Sequence, residues 1–387
     1  MTGADAPLTD LPPLRLKGRA LLPLVQGGMG VGVSAHRLAG SVARLGAVGT
    51  IASVDLRRHH PDLMARTGAS RNKAAIEAAN LEALDREVRA ALALAAGRGM
   101  VAVNVMRAVG QYAAYVRQAC ESGAQAIVAG AGLPLDLPEL TDGFPQVALV
   151  PILSDSRGIA IVLKKWSRRN RLPDAIVIEH PRHAGGHLGA AQVADLADPR
   201  FEFARVLEET FAVMAGLGLE RERIPLIVAG GIATPAAVRR LLGLGAAAVQ
   251  VGTPFAVTVE GDAAPAFKRV LAEARPEDIV EFMSVAGLPA RAVRTPWLER
   301  YLAKQPVLQA QARRRRECLL AWDCLEVCGL RDGIARAGQF CIDNQLAAAL
   351  RGDVEHGLFF RGAGPLPFGR DIRPVRDLVQ YLLARPA

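Results

Sequence analysis

Three histidines and three glycines fall within the eleven residues Glu179–Gly189, in the order Glu-His-Pro-Arg-His-Ala-Gly-Gly-His-Leu-Gly. An imidazole gains and loses its proton near neutral pH, and glycine lets the backbone approach a ligand closely. His187, directly after Gly185 and Gly186, has the type and setting of a catalytic base able to reach a substrate carbon. The x2 and x3 spacing of His180, His183 and His187 also resembles metal ligation. A glycine-rich loop gives such ligands no pre-organised face, however, and only Glu179 stands nearby as an acidic partner, so no metal is expected. His183 reads more simply as a solvent-exposed loop residue.

Other strand ends carry groups that would suit a flat heteroaromatic cofactor. Gln26, Gly27, Gly28 and Met29 follow one apolar run, and Asn104 ends another. Amide side chains can satisfy a ring's donors and acceptors, while the glycines permit close contact. Asn104 could equally be a buried structural amide. Ala229-Gly230-Gly231 and Gly252-Thr253 end two later runs. Paired glycines expose backbone N–H groups, the Thr253 hydroxyl can donate, and Thr234-Pro235 opens a helix whose positive end would favour a phosphate. The plainer alternative is that these glycines only make tight turns.

The elements that must position these groups are legible as apolar runs. Leu21–Val25, Ala47–Ile51, Met100–Asn104, Ala126–Ala129, Val147–Ile152, Ala175–Glu179, Ile224–Val228 and Ala246–Val251 have the length and β-branched content of buried strands. Helical periodicity separates them, most clearly over residues 71–96, 110–121 and 199–217. Eight strand–helix units over about 250 residues match an α/β fold of the (β/α)8 TIM-barrel class better than an open doubly wound sheet. The phosphate-binding loops of such barrels follow the seventh and eighth strands, which is where Gly230-Gly231 and Gly252-Thr253 lie. The expected organisation is an N-terminal segment 1–20, a barrel 21–260, and a smaller, mainly helical C-terminal domain 261–387 packed over one end. In that last region Ser284–Arg291 reads as a loop, Lys304–Leu350 as a basic helical stretch, and Val375–Ala384 as an amphipathic helix. Leu358-Phe359-Phe360 and the Gly-rich residues after it could cover the pocket.

The bulk composition narrows the functional classes. The chain has 387 residues, 51% of them hydrophobic, enough for one large core and an appendage. No apolar run reaches the roughly 18 residues needed to span a bilayer, and Met1–Asp10 lacks the basic start of a secretory signal. Five cysteines, an odd number, suit a reducing compartment, so a cytoplasmic location is expected. A net charge of +9 could attract nucleic acid or, more mildly, anionic cofactors and substrates. The only dense basic run is Arg313–Arg316, no nucleic-acid-binding motif accompanies it, and aromatics are 5%, too few for stacking platforms. Neither nucleic acid nor membrane is expected as a partner. Lys164, Lys165, Arg168, Arg169 and Arg171 read as a solvated helix face.

Cys318, Cys324, Cys328 and Cys341 are spaced x5, x3 and x12. Four thiols could hold an iron–sulfur cluster, but the spacing fits neither ferredoxin pattern. Cys324 and Cys328 lie one helical turn apart, so core packing explains them with less effort.

Taken together and in order, Pro23–Met29, Asn104, Ala184–His187 with Gly189, Ala229–Gly231 and Gln250–Thr253 resemble the nitronate monooxygenase family, formerly called 2-nitropropane dioxygenases. The resemblance covers roughly residues 20 to 295 and extends to Gly287-Leu-Pro-Ala-Arg291, which is similar to a family segment after the barrel. Any one motif alone would be weak. The resemblance implies an FMN-binding barrel in which Gln26, Gly27, Gly28 and Met29 line the flavin and Asn104 bonds its ring. It implies that Gly185 and Gly186 pass near the ring, and that Ala229, Gly230, Gly231, Gly252 and Thr253 form the phosphate site. His187 matches the histidine that serves as base in nitroalkane oxidation. The implied substrates are a nitronate or nitroalkane and dioxygen, giving a carbonyl compound and nitrite. Two departures stand out: His183 replaces a usual acidic or small residue, and the region after residue 300 is longer than in many members. The family also contains NAD(P)H-dependent enoyl-thioester and quinone reductases, the chief alternative. A non-enzymatic nucleic-acid-binding role for the basic C-terminal region is the alternative from another class.

Overall fold

The computed structural model describes residues 9–314 and 317–385. Arg315 and Arg316 of the basic run, and most of the acidic N-terminal stretch, lie outside the described residues. Eight parallel strands close into a barrel: β3 (Leu24–Gln26), β4 (Val48–Ala52), β5 (Met100–Met106), β6 (Ala126–Gly130), β7 (Ala148–Leu153), β8 (Ile176–Glu179), β10 (Leu226–Ala229) and β11 (Ala248–Val251). They follow one another around the ring in sequence order, with β11 pairing back to β3. The expected TIM-barrel class is what the chain adopts.

Strand alternation decides what reaches the barrel interior. On β5, Met100 and Ala102 face inward and Val101, Val103 and Val105 face the surrounding helices. At β8, Val177 and the preceding Ala175 face inward while Ile176 and Ile178 face out. The same period of two carries Asn104 and Glu179 to the inner face where each strand ends. The outer face packs against helices His36–Arg44, Lys73–Ala95, Tyr112–Glu121, Ser156–Ser167, Phe203–Gly216 and Pro235–Gly243.

Both flanks of the chain contribute to this barrel. The hairpin β1 (Leu14–Leu16) and β2 (Arg19–Leu21) inserts Leu14, Leu16 and Leu21 among the inward-facing residues. Arg19 donates to the Gly99 carbonyl and Lys17 to that of Pro145, just before β5 and β7 begin, so the hairpin plugs the end where the strands start. At the other flank, helix Val375–Leu383 buries Val375, Leu378, Val379, Leu382 and Leu383 in the barrel's own outer core, against helices His36–Arg44 and Pro235–Gly243. It takes the place of an eighth barrel helix, although the sequence groups it with the C-terminal appendage.

Between these parts the region after residue 260 is less helical than expected. Ile279–Met283 (β12) and Pro289–Val293 (β13) form an antiparallel hairpin, so Ser284–Arg291 is a turn and strand rather than a loop. β13 pairs in turn with the short strand β9 (Gly186–His187). The basic stretch holds helices Pro296–Ala310 and Ile342–Leu350, but between them the described residues contain only one helical turn, Gly329–Asp332. Among the described residues no helix is long and apolar enough to cross a membrane.

Candidate active site

A cavity of about 590 Å³ opens at the strand ends, within the usual range for small-molecule sites. Gly27, Gly28, Met29, Asn104, Gly185, Gly186, His187, Ala229, Gly230, Gly231, Gly252 and Thr253 all line it. Residues from five separate parts of the sequence therefore converge on one hollow. Gln26 does not join them.

Gln26 is fully buried, and its side chain turns into the β3–β4 seam. Its Oε1 accepts from Thr50 N at 2.8 Å and its Nε2 donates to Thr50 O at 3.1 Å. The amide thus imitates a ladder partner where β3 and β4 share a single backbone pairing, Val25 with Val48. Val25 faces inward, so its neighbour cannot. The expectation that Gln26 lines the cavity fails for this reason. Gln250 lines it instead, two residues beyond inward-facing Ala248. That alternation was the signal in the sequence.

Glycine is required where backbone meets side chain. A Cβ on Gly28 would lie 2.4 Å from the Asn104 Cβ, and one on Gly27 would lie 3.3 Å from the Gln250 side chain. Gly230 and Gly231 have φ of 114° and 73°, and a Cβ on Gly231 would crowd the His183 side chain at 3.0 Å. Asn104 spends its Nδ2 on Val128 O at 3.2 Å, which leaves its Oδ1 as the free acceptor toward the cavity. Thr253 Oγ1 accepts from Gly362 N at 3.0 Å and keeps its own proton for another acceptor. Thr234 caps the helix after the Gly230–Gly231 turn, accepting from Ala237 N, with Pro235 at its first position.

The histidine loop is anchored from outside the barrel. Register places His187 opposite Ala290 and Gly186 opposite Arg291 of β13. Arg291 is buried, and its guanidinium donates to the carbonyls of Pro181 and Ala184 and pairs with Glu281. This clamp escaped the sequence reading, since an arginine on an assumed loop gives no local sign of the backbone it will grip. His187 is half-buried with no partner for its Nε2, and its ring meets the edge of Phe360 at 5.6 Å between centroids. Burial pushes its pKa down to about 4, so the ring is neutral and its lone pair free at physiological pH.

The other two histidines part company. His180 is buried under Phe203, 5.2 Å between ring centroids, away from the cavity. His183 is half-buried rather than solvent-exposed, lining the cavity against Gly231. Burial, followed by Arg182 and Arg291, lowers its pKa. Among the described residues no three His, Cys, Asp or Glu side chains group so as to hold a metal ion. Glu179 also faces the cavity, and burial raises its carboxyl to about 7.

A cover closes the hollow. Leu358, Phe360, Gly362, Gly364 and Pro365 line its outer side. Ala363 N donates to His183 O, and a Cβ on Gly185 would meet Gly362 N at 2.5 Å. Backbone therefore packs on backbone between the cover and the histidine loop.

Solved structures share this architecture. Nitroalkane oxidase from Streptomyces ansochromogenes shares the fold with a TM-score of 0.63 at 19% identity, covering 97% of this chain and 96% of that one. FabK from Thermotoga maritima superposes with a TM-score of 0.62 at 21% identity, covering 93% and 91%. In sequence, a Staphylococcus saprophyticus protein named "Probable nitronate monooxygenase" is 28% identical over 165 residues, 41% of this chain and 44% of that protein. A Bacillus subtilis protein of the same name is 34% identical over 76 residues, 20% and 22%. The chain thus aligns with less than half the length of the curated relatives it matches. The family model described as nitronate monooxygenase matches residues 16–385, and the chain belongs to the nitronate monooxygenase family.

Proposed function

We propose that this flavin-dependent oxidoreductase binds FMN in the cavity and oxidises alkyl nitronates, or nitroalkanes after proton removal, with dioxygen to a carbonyl compound and nitrite. The observation that carries the reading is His187: a neutral imidazole with an unpartnered Nε2 beside a glycine-walled hollow. The residues present suit a flavin. Gly27 and Gly28 let backbone lie directly against Gln250 and Asn104 in the cavity wall, and Asn104 Oδ1 is an acceptor for a ring N–H. The amides of Gly230, Gly231 and Gly252 and the Thr253 hydroxyl supply phosphate donors. Bound there, FMN would supply the electron transfer between substrate and dioxygen.

The chain's own contribution is positioning and one proton. His187 Nε2 would take the α-proton of a neutral nitroalkane, a step that a preformed nitronate does not need. Phe360 fixes the imidazole from the side, and Arg291 holds the loop that carries it. Leu358, Phe360 and the glycines after them exclude water from above.

Purified protein should be yellow, and mass spectrometry of the released cofactor should identify FMN. Under anaerobic conditions a nitronate should bleach the flavin and NADH should not. Rapid bleaching by NADH, with none by nitronate, would overturn this reading in favour of an NAD(P)H-dependent reductase. His187→Asn should lower nitroalkane turnover by about 10²–10⁴-fold and leave nitronate turnover within a few-fold. Equal losses would remove His187 as the base.

A further inference from the structure

Four of the five cysteines, Cys318, Cys324, Cys328 and Cys341, fall between or beside helices Pro296–Ala310 and Ile342–Leu350, and all are free thiols. Among the described residues between these helices there is only one helical turn, so the ladders that normally fix a chain are missing there, and such stretches are commonly stapled by metal or disulfide. This one is nevertheless tightly specified. Ala321 and Asp323 adopt φ of 62° and 51°, left-handed for residues with side chains. Val109 bridges Leu325, docking the segment beside the end of β5. A Cβ on Gly329, next to Cys328, would meet Gly338 O at 2.4 Å, so the backbones around 328 and 338 touch. Cys324 and Cys328 share one apolar cluster with Phe340 and Ile342.

The sulfurs lie within electrostatic reach of one another. Burial, then Asp343, Cys341, Cys318 and Cys328, hold the Cys324 thiol well above its ordinary range. Burial, opposed by a backbone bond to Asn344 and reinforced by Asp343, Cys318 and Cys328, pushes Cys341 up to about 11. The fifth thiol, Cys120, sits apart in the barrel's outer core. The convergence is too loose for one ion, since no metal-holding group of three such side chains forms among the described residues. Zinc would need its sulfurs about 2.3 Å from a single point. An iron–sulfur cluster carries its thiolates around a larger body, and its potential answers to burial and surroundings.

We propose that Cys318, Cys324, Cys328 and Cys341 ligate an iron–sulfur cluster at the edge of the cavity. Cys324 itself lines that cavity, so the cluster stands where it can exchange electrons with a redox group bound there. Loading from a preassembled cluster is a ligand exchange. Four Fe–S bonds to external thiolates break, four to cysteine form, and the cysteine protons leave on the released thiols. No electron changes hands.

The test begins with protein purified without oxygen and assayed for iron and acid-labile sulfide, then loaded from a preassembled cluster with small-thiolate ligands. About two or about four irons per chain, with equal sulfide, are expected, as is an electron paramagnetic resonance signal after dithionite reduction. Cys328→Ser and Cys341→Ser should lose most of the iron, and Cys120→Ser should keep it, with flavin content unchanged in all three. Should a variant lose flavin too, Mössbauer spectra of the loaded wild type decide, since all-thiolate tetrahedral iron is required. Failure of the wild type to take up iron while its four thiols remain reactive would overturn the proposal. So would zinc at about one per chain, or full iron in Cys341→Ser.

Discussion

The pH dependence of nitroalkane turnover gives the sharpest test of the His187 environment. Burial lowers this imidazole from its ordinary value of 6.5 to about 4, so the base stays neutral far into acid. At pH 5.5 an unperturbed histidine would be only about 10% neutral, whereas one at pKa 4 is about 97% neutral, a difference of roughly tenfold in competent enzyme. The assay is kcat/KM for a freshly dissolved neutral nitroalkane from pH 3.5 to 8, with the nitronate as a control that needs no base. Glu179 titrates near 7 in the same cavity, so the profile is repeated in Glu179→Gln to remove that limb. The expected nitroalkane profile is flat between pH 5 and 6.5 in the variant and falls as pH drops through about 4. A limb centred near 6.5 in both proteins would refute the claim that His187 is held neutral by burial.

Three further outcomes follow from the same geometry. Gly28→Ala puts a methyl 2.4 Å from the Asn104 Cβ, on a strand paired on both sides. Overpacking of about 1–3 kcal/mol should weaken flavin binding by about tenfold or more in a fluorescence titration, and unchanged affinity would mean that Asn104 is free to move. Gln26→Leu removes both bonds to Thr50 and strands a buried N–H, a loss of about 2–4 kcal/mol. The urea midpoint should fall while the flavin spectrum stays put, and the opposite pattern would return Gln26 to the cavity. Glu179→Gln should gain stability relative to wild type as pH rises. The raised carboxyl favours folding fully below its unfolded pKa near 4.5, and that contribution is lost as pH climbs through about 7. The two melting temperatures should draw apart between about pH 4.5 and 7 and stay apart above it, and a constant difference across that window would show that Glu179 ionises freely.

How much of this was legible in the sequence depends on the range of the forces involved. The eight strands stand out because each is buried on both faces, so every residue in it is under the same local demand for apolar, β-branched side chains. Glycine clusters at the strand ends stand out because close approach excludes any Cβ, whatever the partner. Parity was equally available: Val25 facing in sends Gln26 out, and Ala248 facing in sends Gln250 to the mouth. Reading Gln26 by motif position rather than by alternation put the wrong amide at the cavity.

What the sequence hides are pairings between distant segments. The strand that seats His187 has only two residues, too few to carry any pattern, and exists because β13 lies beside it. Helix Val375–Leu383 announces an apolar face but not its docking place, since any exposed apolar groove of the right width would serve. It docks between helices His36–Arg44 and Pro235–Gly243, because the chain leaves β11 for the cover and the cysteine-bearing stretch before it returns. That detour explains the site's construction. By closing the barrel only with its last helix, the chain makes everything from the Thr253 turn to Pro374 an insertion pinned at both ends. The clamp on the histidine loop and the wall against Phe360 are thereby tied to the stability of the barrel itself.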